Sequence, residues 1–136
     1  MHIINSNKKF FTAIAKAADL CLKPWKHSVI NEEDEVLNSY PKEISNDLFL
    51  RIECRDLNGK RHPENDIELE IFKSGKDINL MLCWLNKNQD IILWHGSHSI
   101  WMNGDTGKRI EPPKDHSIFE SFARKIRVLL ELPNEY

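Results

Sequence analysis

From residue 48 to residue 103 apolar side chains recur, in blocks, at every second position; before and after that stretch they recur every third or fourth. A period of two belongs to a strand with one buried face, and a period near 3.6 to a helix with one buried stripe. Helical blocks at the two ends and strand blocks between them predict helices packed on an antiparallel sheet, not strands alternating with helices in a parallel one. The expected class is α+β: an N-terminal helix, an antiparallel meander of about four to five strands, and a C-terminal helix packing on the sheet. At 136 residues, with no repeat or linker, one domain over 1–136 is expected, long enough to bury a core without metals or disulfides.

The first helix is expected over 6–23, where Phe10, Phe11, Ile14, Ala17, Ala18 and Cys21 share a face and Pro24 stops the run. Residues 25–46 carry no dominant period. Val29 and Ile30 suit a short strand, and Asn31 with Glu32, Glu33, Asp34 and Glu35 suits the first turn of a short helix, where acidic groups favour the positive dipole end. Leu48, Leu50, Ile52 and Cys54 then alternate with Phe49, Arg51, Glu53 and Arg55 as a half-buried strand. Asn58-Gly59 signals a turn, but Pro63 precludes tight pairing directly after it, which predicts a longer connection over 56–65.

Residues 66–73 and 77–85 read as a hairpin. A loop at Ser74-Gly75 or at Gly75-Lys76 changes the partners but not the faces. Either places Ile67, Leu69, Ile71, Ile78, Leu80, Leu82 and Trp84 on one side. A second hairpin, 90–95 and 98–103, turns at Gly96-Ser97. There Leu93 faces Ile100 and Ile91 faces Met102, while Ile92, Trp94 and Trp101 lie on the opposite side, so both faces are partly apolar. Two occupants fit that surplus: a helix or the 25–46 segment with Trp25 and Tyr40, or a partner molecule. The last helix is expected after Pro112-Pro113, with Ser117 and Glu120 as a capping box and Phe119, Phe122, Ala123, Ile126, Leu129 and Leu130 as its buried stripe.

Chemistry is sparse. His95 and His98 face each other across the expected two-residue turn, a geometry open to a cross-strand metal clamp, although zinc takes three or four ligands. Asp105-Thr106-Gly107 has the tripeptide of an aspartic protease without the apolar strand that leads into it, and reads as a polar turn. Cys21, Cys54 and Cys83 form no CxxC pair and suit small buried thiols in a reducing compartment. Arg51, Arg55, Lys60 and Arg61 with Phe49 and Phe72 are the nearest approach to a nucleic-acid surface, but a net charge of -2 disfavours one. No apolar run reaches the roughly 18–20 residues of a membrane span, and residues 1–9 lack the cationic start and cleavage site of a signal peptide. The excess of Ile, Lys and Asn over Ala, Gly and Arg fits an AT-rich bacterial coding sequence.

The function expected is therefore non-enzymatic and cytoplasmic: a small protein-binding, adaptor or inhibitor (immunity-type) module with no cofactor. Its contacts are expected through Ile92, Trp94, His95, His98 and Trp101 or through the acidic Glu32, Glu33, Asp34 and Glu35, with a protein partner or a second copy of the chain. The alternative is a metal-binding protein or metal-assisted enzyme using His95 and His98.

Overall fold

The computed structural model describes residues 8–32, 47–74, 77–85, 90–95, 98–113 and 116–131. Helix α1 (Lys8–Cys21) is followed by strands β1 (Lys26–Asn31), β2 (Leu48–Arg55), β3 (Ile67–Ser74), β4 (Asp77–Trp84), β5 (Asp90–His95) and β6 (His98–Asn103), and by helix α2 (His116–Glu131). The six strands form one antiparallel sheet in sequence order, β1 to β6. That is one strand more than the upper expectation. The addition is β1, whose inward residues include His27 opposite Cys54 as well as Val29 opposite Ile52, so its apolar alternation is incomplete.

Register follows the apolar pattern. The first hairpin sets Ser74 against Asp77, Ile71 against Leu80, Leu69 against Leu82 and Ile67 against Trp84. Neighbouring strands extend the face: Leu50 sits opposite Leu69, Leu82 opposite Ile92, and Ile92 opposite Trp101. Both helices lie on this face. Phe10, Ile14, Ala17 and Ala18 of α1 and Phe119, Phe122, Ala123, Ile126 and Leu130 of α2 are buried with the inward strand residues in one core. Full burial of each large side chain contributes roughly 1.5–3 kcal/mol. An Arg127 guanidinium N–H donates to the Ile78 carbonyl and ties α2 to β4.

Helix α2 starts at His116, so Ser117 lies inside the first turn and does not cap it as expected. Glu120, the other half of the expected box, accepts the Trp101 indole N–H at 2.7 Å.

The opposite face of the sheet is mixed. Arg51 pairs across to Glu68, Phe49 to Glu70, Met81 to Leu93 and Ile91 to Met102. Phe49 is exposed, and Met81, Cys83, Ile91, Leu93, Ile100 and Met102 are half-buried. The outer edge of β6 is partly occupied by the chain returning after it: the Ile110 N–H donates to the Trp101 carbonyl at 2.9 Å and the Asn103 N–H to the Lys108 carbonyl at 2.8 Å.

Candidate functional site

Where α1 ends, its last turn closes with a Trp25 N–H to Leu22 carbonyl bond of 3.1 Å, which brings Trp25 round to the end of the sheet. Three other elements finish there: Trp84 is the last residue of β4, Asp90 the first of β5, and Phe119 lies in the first turn of α2. Together they enclose a cleft of about 460 Å³ lined by Cys21, Lys23, Trp25, Trp84, Asp90, Trp101, Ile118 and Phe119, among others. Trp84 stacks on Phe119 with ring centres 4.9 Å apart and planes at 15°, and Trp101 meets the same Phe119 at 6.1 Å and 35°. The volume lies in the range of ligand-binding clefts.

A polar cluster sits behind Trp25, in the connection that Pro63 lengthens. The His62 ring lies 4.9 Å from the Trp25 ring, tilted by 58°. Its Nε2 is 2.9 Å from an Asp56 oxygen and its Nδ1 3.0 Å from a Glu64 oxygen. With a carboxylate at each ring nitrogen the imidazolium is favoured, because both nitrogens can then donate; the bonds to Asp56 and Glu64 raise the His62 pKa. Asp56 also accepts the Asn58 and Lys60 N–H groups, at 2.9 and 3.0 Å, which folds the turn around Gly59. Next to this lies Asp66, which is 1 % exposed. Burial pushes its carboxyl up, but the Arg61 hydrogen bonds, the Cys54 N–H and the charges of Arg61 and Arg51 outweigh that and hold it below its ordinary value. On the other side, buried His27 bonds to Asp19 of α1 at 2.9 Å and locks that helix to β1.

Burial pushes the Cys54 and Cys83 thiols up to about 11 and raises that of Cys21, so all three stay protonated near neutrality and are poor nucleophiles.

The residues expected to make contacts are divided by the fold. Ile92, Trp94 and Trp101 are 0, 8 and 5 % exposed and belong to the core beneath the helices. An open surface made of those three side chains is thereby corrected: the two helices cover the face that carries them. Trp101 alone reaches the cleft wall. His95 and His98 are opposite each other in the β5–β6 register, as expected for a turn at Gly96-Ser97. Among the described residues no group of three or more His, Cys, Asp or Glu side chains gathers as a metal site. Glu32 approaches Arg51 at 3.7 Å on the mixed face. Glu33, Asp34 and Glu35, with Tyr40, lie outside the described residues. Asp105-Thr106-Gly107 is an exposed turn in which the Asn103 side chain accepts the Asp105 and Thr106 N–H groups, at 2.8 and 3.1 Å. Two of the basic residues at β2 and its loop are paired within the chain: Arg55 lies 3.8 Å from Glu53, and Arg61 3.4 Å from Glu53 and 2.7 Å from Asp66.

Sequence reasoning missed the cleft and the His62 and Asp66 cluster. Trp25, Trp84, Trp101 and Phe119 come from the α1–β1 connection, β4, β6 and α2, so no spacing in the chain announces their meeting. A signal for the cluster was present in Asp56, which stands two residues before Asn58-Gly59, the spacing of an Asx turn.

Residues 11–129 match the family described as a domain of unknown function, DUF8659, and the chain belongs to it. No curated protein and no solved structure matches the chain. Among the described residues no helix is long and apolar enough to cross a membrane.

Proposed function

We propose that this chain is a non-enzymatic, cytoplasmic protein-binding module, of adaptor or inhibitor (immunity) type, that receives a side chain of its partner in the aromatic cleft. The observation that carries this is the meeting of Trp25, Trp84, Trp101 and Phe119 around a cavity of about 460 Å³. Aromatic cavities of this kind seat the anchor residues that dominate binding energy. The three free cysteines, with pKa values raised by burial, suit a reducing compartment. A second copy of the chain is the competing occupant. Its simplest route, pairing along β6, is narrowed because the returning chain at 108–110 already bonds to Trp101 and Asn103.

The test is a selection of random displayed peptides on the wild type, followed by re-assay on Ile118→Asp. Ile118 lines the cleft and is 49 % exposed, so the charge spoils the cleft without entering the core. Selected peptides are expected to lose binding to Ile118→Asp. Peptides that bind both proteins equally would refute the cleft as the docking point.

A second reading, a metal clamp, is favoured only by the register that sets His95 opposite His98. Metal analysis of the purified wild type beside His95→Ala/His98→Ala separates it: stoichiometric metal lost on mutation supports the clamp, and a metal-free wild type sinks it.

A further inference from the structure

We infer that the group this cleft takes is cationic: an arginine or lysine side chain presented by the partner protein. The inference rests on the cleft being the docking point and adds the chemistry of what enters it.

Half-buried Trp25 and Trp84 line the cavity together with the nearly buried Trp101 and Phe119, and the faces of such rings carry the negative end of their quadrupole. Two carboxylates add to that field. Asp90 is half-buried in the cleft wall, at the open end of β5. Glu120 accepts the Trp101 indole N–H at 2.7 Å. An anion on the indole N–H increases the electron density of the ring, so Trp101 attracts a cation more strongly than an indole bonded to water.

The chain already places a cation beside one of these rings. His62, which Asp56 and Glu64 favour in its charged form, lies 4.9 Å from Trp25. The His62 imidazolium, neutralised by Asp56 and Glu64, and two lysines oppose a cationic guest. Lys23 lines the cleft but is exposed, so its stem can pack on the wall while its ammonium stays in water. Lys125 acts on the Cys21 thiol and is exposed on α2. Both charges are screened by solvent and salt more than that of half-buried Asp90. The net charge of -2 favours approach of a basic partner in the same sense.

The test compares n-butylguanidinium with n-butylurea, a neutral molecule of nearly the same shape. The indole N–H resonances of Trp25, Trp84 and Trp101 are followed in the intact wild-type protein, each assigned by a single Trp→Phe variant. The cation is expected to bind about 5- to 30-fold more tightly than the urea, the range given by cation–π attraction in partly desolvated sites. The gap is expected to narrow in Asp90→Asn and at high salt. Equal affinities would overturn the inference while leaving the cleft as an apolar docking point. No indole shift with either probe would overturn the inference together with the docking point beneath it.

Discussion

The Asp66 carboxylate meets the Arg61 guanidinium through two bonds, 2.8 Å from Nη1 and 2.7 Å from Nη2, and also accepts the Cys54 N–H at 2.8 Å. This pair closes the 56–65 connection onto the last turn of β2, and it holds the turn that presents His62 to Trp25. Asp66→Asn removes the bidentate counter-charge of Arg61 and leaves it only Glu53, at 3.4 Å. It is expected to lower stability by about 3 kcal/mol, the low end for a broken buried pair, because Arg61 remains 27 % exposed. Urea denaturation monitored by circular dichroism measures it. Since the Asp66 pKa is lowered from its ordinary 3.8, its contribution is present above that value and is lost as the pH falls through the lower folded one.

The surroundings of two histidines displace their pKa values in opposite directions. Burial pushes His27 below its ordinary 6.5, only partly offset by Asp19, so the unfolded chain takes up this proton first. Its contribution to stability is present above about 6.5 and is lost as the pH falls toward the folded value. Bonds to Asp56 and Glu64 raise His62 above 6.5, so its contribution is present below that value and is lost as the pH rises through the folded one. Proton NMR of the ring Cε1–H signals should place the His62 midpoint above 6.5 and that of His27 below it. Coincident midpoints would show that the two environments do not differ.

Trp101 and Ile92 separate core from surface. Ile92 is fully buried, and Ile92→Ala is expected to cost about 2–5 kcal/mol. Trp101→Asp places a charge in the core and removes the Glu120 partner, and is expected to unfold the protein. A folded, stable Trp101→Asp protein would place that ring outside the core.

Gly59 has φ of +86°, and no atom lies within 4 Å of the position a Cβ would take. Gly59→Ala therefore meets conformational strain without a clash, and is expected to cost about 1 kcal/mol in thermal denaturation, with Gly59→Asn costing less.

The sheet was legible because one inward face repeats its pattern strand after strand. Leu48, Leu50 and Ile52 name their own side, and a shift of the first turn by one residue left every face unchanged. β1 was obscured because its inward positions include a histidine, whose burial depends on Asp19 of a different element. The apolar surplus of the second hairpin was visible in the sequence, but not its cover: whether Trp101 meets a helix or solvent depends on how α2 crosses the sheet. Glu120 shows the same limit. Its spacing from Ser117 suggested a cap, and the tryptophan it holds lies 19 residues away on another element.

The most direct test of the cleft as the docking point is a titration of the labelled protein with a peptide obtained by selection. Shifts are expected to concentrate on the indole N–H signals of Trp25, Trp84 and Trp101 and on the Ile118 methyl groups, and the indole shifts are expected to disappear in Ile118→Asp. Shifts confined to Met81, Ile91, Leu93 and Ile100, on the opposite face of the sheet, would contradict it.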